Sequence, residues 1–370
     1  MLRPKPPPLP LFAELKEWDS FRLGFDRLQR VLEALGGPQR SFPHVLVGGT
    51  NGKGTVAYNL ALNLPFPKVG LFLSPHVLDI RERITVADAW VVDALWREAY
   101  EETLQAVGAE PELSYFEWLL VLALAMFRRM RVDYAVFEVG VGGRDDATNL
   151  LDPNLSIVTG VAMDHVGLLG NSIEEIALAK IEIARRNRPF ILPEAIQAMP
   201  AVHARLREIG CTVHTVETEN RFQDNESTLK TALDVLGFPR KERNLTLLPG
   251  RRAIFGGSIF ADGAHNEAAW EDLVAWIEGK AIDRIDLLCG VSLGRDPLRF
   301  LEIVKPISGR VHVWTGGFQR GLPEKAWPAE LFRAGVADLP ELFKKPLLIC
   351  GSLYLLGAVL PHLEAASINR

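Results

Sequence analysis

The feature that most constrains this chain is the segment Gly48-Gly49-Thr50-Asn51-Gly52-Lys53-Gly54-Thr55. It follows a short apolar run, His44 to Val47, and precedes a helical pattern from Gly54 to Leu64. Glycines let a backbone turn sharply and approach a ligand closely. The N–H groups of such a loop and of the helix after it carry partial positive charge, and Lys53 adds a full one, so the segment suits a polyphosphate. A strand, a phosphate-type loop and a helix in that order belong to an α/β fold. The strict pattern G-x-x-x-x-G-K-[ST] is not met, because Val47 stands where the first glycine belongs and Gly54 where the hydroxyl belongs. The hydroxyl is displaced to Thr55.

The rest of the chain alternates in the same way. Val69 to Leu73, Tyr134 to Val139, Leu155 to Val161, Phe190 to Leu192 and Thr212 to Val213 are expected strands. Ala89 to Val107, Ser114 to Arg129, Ser172 to Arg186, Glu194 to Glu208 and Asn225 to Leu236 are expected helices. Such alternation implies a mainly parallel sheet covered on both faces. Proline, glycine and clustered charge between Phe238 and Arg252 mark a linker. Beyond it come strands at Ser258 to Ala261, Arg284 to Cys289, Arg310 to Trp314 and Leu347 to Cys350. Helices are expected at His265 to Ile277, near Leu298 to Val304 and from Leu353. The expected organisation is a phosphate-loop domain over residues 1–246 and a smaller Rossmann-like α/β domain over 247–370.

Composition removes other classes. A net charge of -5 argues against a general nucleic-acid binder. The most apolar stretch, Trp118 to Phe127, is well short of the ~20 residues that span a bilayer. Met1 to Pro10 is proline-rich, without the apolar core of a signal peptide. Cys211, Cys289 and Cys350 lack metal-ligand spacing and suit small buried hydrophobes in a reducing compartment. A soluble cytoplasmic protein with no membrane or nucleic-acid partner is expected.

The loop GTNGKGT is followed by an ordered set of further blocks: Ser74-Pro75-His76, Arg81-Glu82-Arg83-Ile84, Phe116-Glu117, Glu138 to Arg144, Asp146-Ala147-Thr148-Asn149, Asp164-His165, Lys180, Pro249-Gly250-Arg251 and Asp262-Gly263-Ala264-His265-Asn266. Together they resemble the Mur-type amide ligases, and within them the folylpolyglutamate synthase and dihydrofolate synthase family. Ser-Pro-His and Glu-Arg-Ile separate that folate branch from the cell-wall branch. A cell-wall Mur-type ligase is therefore the lesser alternative. A non-catalytic nucleotide-binding paralogue is disfavoured because the carboxylate, histidine and lysine all survive.

The resemblance implies an ATP-dependent ligase that adds L-glutamate to dihydropteroate, to the γ-carboxylate of reduced folates, or to both. The carboxylate attacks the γ-phosphate, giving an acyl phosphate, and the amine displaces phosphate. By the same resemblance Gly49 to Thr55, Asn225, Arg251 and Asp262 bind ATP, with Lys53 at the phosphates. Ser74, Glu138 and His165 ligate magnesium. Lys180, carbamylated, would serve a second magnesium ion. His265 lies near the incoming amino acid, and Phe116 and Asp146 line the pterin site. The family's Lys-Asp pair stands here as Arg295-Asp296, which keeps the charge without the compact ammonium. A monomer is the family-based expectation.

Overall fold

The computed structural model describes residues 7–15, 24–108, 112–217, 225–240 and 245–368. The chain forms two compact units. The larger runs up to Pro75 and resumes over 80–246, while the smaller takes Leu247 onward together with His76–Asp79. A single division at residue 246 does not anticipate that four-residue excursion. Within the smaller unit, Val77 and Leu78 pack on the apolar core, and Gly357 lets the Val77 carbonyl come close, since a Cβ there would lie 2.3 Å from that oxygen.

The larger unit holds β1 (His44–Gly48), β2 (Val69–Phe72), β3 (Ile84–Val86), β4 (Ala89–Trp90), β5 (Tyr134–Glu138), β6 (Leu155–Val158), β7 (Pro189–Pro193) and β8 (Thr212–Val216). They form one 8-stranded sheet in the order β4-β3-β2-β5-β1-β6-β7-β8. Only the β2–β3 and β3–β4 pairings are antiparallel. The apolar run Trp118 to Phe127 is the middle of a helix, Tyr115–Met130, buried along that whole stretch. Among the described residues no helix is long and apolar enough to cross a membrane.

Several expected elements differ, the strand expected through Val161 ending at Val158 and the one expected at Thr212 to Val213 running on to Val216. Ala89 and Trp90 belong to a hairpin strand, because Ala87 and Asp88 adopt left-handed backbone at the turn, and the helix begins only at Asp93. The expected helix Glu194 to Glu208 is two, Glu194–Gln197 and Pro200–Ile209. Pro200 lacks the N–H that a continuous helix needs and starts the second one instead. The helix expected through Arg186 spans Ile173–Ile181.

The smaller unit holds β9 (Ala253–Phe255), β10 (Ile259–Asp262), β11 (Ile285–Cys289), β12 (Ser308–Trp314), β13 (Phe332–Ala334) and β14 (Leu347–Cys350). Their order is β13-β12-β11-β14-β10-β9, parallel except for the edge strand β9. β9 and β13 are three residues each and carry no alternation long enough to be read from sequence. Cys289 and Cys350 are buried neighbours in this sheet, and burial pushes both thiols up.

Candidate active site

Sheet order explains why distant residues meet. β1 lies between β5 and β6, and β2 lies beyond β5. In register, Val47 faces Glu138, Gly48 faces Val158 and Phe72 faces Phe137. The phosphate loop, Glu138, the segment after Val158 and Ser74 therefore all leave the carboxyl ends of adjacent parallel strands, where open α/β sheets place their ligands.

In the loop itself, Gly49 and Gly52 have positive φ, 136° and 80°. Gly52 is the N-cap of the helix Lys53–Asn63, so the loop amides and the helix N-terminus form one electropositive cradle. The Lys53 ammonium folds back to donate to the Thr50 carbonyl at 3.2 Å. Thr55 is buried in the first turn, its carbonyl taken by the Asn59 amide.

The structure joins Ser74 and Glu138 directly. Glu138 is nearly fully buried, and its Oε2 accepts the Ser74 backbone N–H at 2.9 Å. Asp164 accepts the backbone N–H of His165, and its other oxygen lies 3.8 Å from the His165 ring nitrogen. His165 itself has left-handed backbone, φ 49°. Among the described residues no three His, Cys, Asp or Glu side chains are grouped to hold a metal.

Lys180 was the least expected of these positions on pattern alone, since a lone helix lysine faces solvent by default. It is 2 % exposed, and its Nζ donates to the Gly49 carbonyl at 2.9 Å. Burial lowers its pKa to about 7, helped by the charge of Lys53 and opposed by Asp164 and Asp146. The helix that bears it ends against the loop after β5, because Gly143 has no Cβ: one there would lie 2.7 Å from the Lys180 carbonyl and 2.8 Å from that of Ala179.

Phe116 and Asp146 are also brought together, across Gly140. A Cβ on Gly140 would meet Phe116 Cζ at 2.8 Å and Asp146 Oδ2 at 2.9 Å. Asp146 is buried, and burial raises its carboxyl. Hydrogen bonds from Thr148 and from the Val141 and Gly140 backbones oppose that shift. Phe116 is half-buried with its ring edge against Phe72. The first turn of its helix is fixed by a Ser114–Glu117 capping box, and Glu117 also pairs with Arg27 at 2.7 Å. Arg27 was not singled out in the sequence, and only its place in this pairing reveals it.

Asn225 opens the helix Asn225–Leu236, with its buried Oδ1 lacking a hydrogen-bond partner among the described residues. Such an oxygen is an acceptor in search of a donor.

The smaller unit carries Arg251, Asp262 and His265. Asp262 ends β10 and accepts from the backbones of Arg252 and Ala264. Burial raises its carboxyl, and Arg251 is the leading influence against that shift. His265 Nδ1 lies 3.1 Å from the Gly263 carbonyl, while Asn266 caps the following helix. At the neighbouring strand ends Ser292 and Ser352 share a 3.0 Å hydroxyl contact that the sequence alone did not signal. Asp296 of the atypical Arg295-Asp296 pair accepts from Leu298 and Arg299 and caps the helix Pro297–Val304.

Comparison with known proteins gives the family. Residues 47–248, more than half of the chain, match the Mur ligase middle domain. The folylpolyglutamate synthase of Lacticaseibacillus casei is 29% identical over 90% of this chain and 92% of its own length. The dihydrofolate synthase/folylpolyglutamate synthase of Escherichia coli is 31% identical over 68% of this chain and 67% of its own. The structure of E. coli FolC in complex with DHPP and ADP superposes with a TM-score of 0.84 at 25% identity, covering 99% of this chain and 100% of that one. The chain therefore belongs to the Mur ligases, and within them to the folylpolyglutamate synthase/dihydrofolate synthase family.

Proposed function

We propose that this chain, an ATP-dependent ligase of glutamate to folates by family, forms an acyl phosphate at the strand ends of its larger unit and passes it to L-glutamate. The observation that carries this reading is the convergence of the Lys53 loop, Glu138 with Ser74, and Lys180 at the ends of β1, β5 and β2. A pteroate or folate carboxylate must approach a polyanion, so the first step is chiefly electrostatic and positional work. Lys53 and the loop amides hold the phosphates. Phe116 and Asp146 seat the pterin, so that its far carboxylate reaches the γ-phosphate. The carboxylate oxygen forms a bond to phosphorus as the bond to ADP breaks. The neutral amine of glutamate then bonds to the carbonyl carbon, phosphate leaves, and the amine proton is lost. In the smaller unit, Arg251 and Asp262 are assigned to the nucleotide and His265 to the amino acid. Asn225 Oδ1 is an acceptor suited to the adenine amino group.

Magnesium is the expected metal. It favours oxygen ligands and keeps several waters, so the buried Glu138 carboxylate, which holds the Ser74 backbone, is a donor that fits it once phosphates and waters complete the shell. Bound there, it would offset the charge of the phosphates and the attacking carboxylate. Ser74, Glu138 and His165 would hold it. Lys180 would hold a second ion as a carbamate. Carbamylation joins the neutral Nζ to the carbon of carbon dioxide and releases a proton, and burial favours that neutral amine. The carbamate nitrogen keeps one hydrogen, so the bond to the Gly49 carbonyl can survive the modification.

Release of ADP is the test, with ATP, magnesium, L-glutamate and either dihydropteroate or tetrahydrofolate. Release that ignores every pterin would remove the folate reading. Glu138→Gln and Lys53→Ala should each abolish turnover while the fold persists. A wild-type rate in either removes that residue from the mechanism.

A further inference from the structure

Loops that bind phosphate must hold their amides in place against the charge they bind. In this chain the phosphate loop is backed by the four residues after β6. The Thr159 hydroxyl, 1 % exposed, lies 2.6 Å from the Asn51 carbonyl and 3.2 Å from that of Gly48. The Thr159 backbone N–H donates to the same Gly48 carbonyl at 2.9 Å. The Thr50 N–H donates to the Gly160 carbonyl at 2.8 Å. The buried Thr50 hydroxyl is spent on the Ala162 backbone, bonding both its carbonyl at 3.3 Å and its N–H at 3.0 Å. Neither hydroxyl is set up as a phosphate or metal ligand. Both stitch the loop to a segment that reaches Asp164 and His165 within three residues of Ala162.

The glycine at 49 follows from the same stitching. A Cβ there would lie 2.1 Å from the Thr159 hydroxyl oxygen, 3.1 Å from the Thr159 nitrogen and 3.2 Å from the Gly160 nitrogen. That glycine is required by the segment behind the loop as well as by its own positive φ. The other side of the same residue is its carbonyl, held by Lys180.

We propose that Thr159, together with Thr50, is a positioning residue that locks the phosphate loop and the His165 segment into one body, so that phosphates on Lys53 and the ligand at His165 keep a fixed separation. This rests on the ATP-site reading above. A hydroxyl that merely filled the core would affect stability and spare the constants for nucleotide. A positioning hydroxyl must affect how MgATP is held, because without it the Asn51 and Gly48 carbonyls lose the Thr159 hydroxyl and the loop keeps fewer ties to the segment behind it.

The test compares Thr159→Val, which keeps the shape and removes the hydroxyl, with Thr159→Ser, which restores it. Wild-type binding of MgADP and pterin-dependent turnover are measured first, and their absence would remove the ATP-site reading and not this inference alone. Given an active wild type, Thr159→Val should lower kcat/KM for ATP by about 10- to 100-fold, the scale of one unsatisfied buried polar group. The KM for the folate substrate should stay within about twofold, and Thr159→Ser should recover to within about threefold of wild type, as expected for groups acting at separate sites. Should Thr159→Val fail to fold, Thr159→Ala against Thr159→Ser carries the same comparison. Normal ATP constants in a folded valine or alanine variant overturn the proposal. So does a loss shared equally by ATP and folate that serine does not repair.

Discussion

Gly140 offers the cleanest perturbation of the proposed pterin wall. Its φ lies outside the left-handed region, so alanine brings no backbone penalty and only the methyl matters. That methyl would sit 2.8 Å from Phe116 Cζ, 3.0 Å from Cε2 and 2.9 Å from Asp146 Oδ2, where ordinary contact begins near 3.4 Å. About half an ångström must be found on each side. Asp146 cannot supply it. Its Oδ2 is held by the Val141 N–H, and its Oδ1 by the backbone and hydroxyl of Thr148. The ring of Phe116 must move instead, against Phe72, whose centroid is 5.4 Å away. Forcing a methylene-sized group into a packed wall costs about 1–3 kcal/mol. Taken at the binding step, that is a loss of about 5- to 150-fold in affinity. Gly140→Ala should therefore weaken dihydropteroate binding by that factor in calorimetric titration, while ADP affinity stays within about twofold because the two sites share no contact with the methyl. Unchanged pterin affinity would show that Phe116 and Asp146 are not the wall. An equal loss for both ligands would show a general collapse.

Gly143→Ala places its methyl against the Ala179 and Lys180 carbonyls, helix backbone that cannot rotate aside, so it should lower kcat by about tenfold or more with pterin affinity kept. Steady-state rates beside dihydropteroate titration decide it. Lys180 keeps a charge-poor amine in the larger unit's interior, with its pKa lowered to about 7 from 10.5. Folding therefore expels a proton between those values, and stability rises with pH across that window. Lys180→Met should raise Tm at pH 7 in carbon-dioxide-free, metal-free buffer while abolishing turnover, and the gap in Tm should narrow towards pH 10. A gap that ignores pH would show that the amine is not the source. Glu117→Ala removes both the capping box and the ion pair with Arg27, a cost of about 2 kcal/mol in urea unfolding. A midpoint shift near zero would separate that pairing from the stability of the Phe116 helix.

The parts of this fold that were legible in the sequence are those carried by long periodic patterns. The helix Tyr115–Met130 and the strands at the centre of each sheet lie within a residue or two of where their apolar runs put them. What was not legible depended on partners far away in the chain. Ala89 and Trp90 have helical neighbours and ordinary propensity, and they pair as a strand only because two left-handed residues turn the chain back onto β3. Ser74 and Glu138 were recognisable as strand-end oxygens, but that one holds the other follows from β2 lying beside β5, which no local pattern encodes. The return of His76–Asp79 to the smaller unit is likewise invisible, since nothing in four residues announces which core Val77 and Leu78 will join.

The glycines sharpen the point, because the structure gives them reasons beyond a phosphate-loop pattern. A glycine-rich loop after a strand invites the explanation that the backbone must approach phosphate. Gly52 fits it, turning the chain through positive φ into the helix whose amides face the cradle. Gly49 answers in addition to Thr159 behind the loop, Gly140 to Phe116 and Asp146, and Gly143 to the helix end that carries Lys180. Each marks a place where two segments distant in sequence come closer than a methyl allows. Three of the assigned functions, the phosphate loop, the pterin wall and the Lys180 helix, each rest on one such approach. Alanine at 49, 140 and 143 should accordingly injure three separable constants: nucleotide affinity, pterin affinity and turnover. If all three substitutions instead lowered one constant together, the site would have to be treated as a single cooperative body, and the division of roles among its residues would fail.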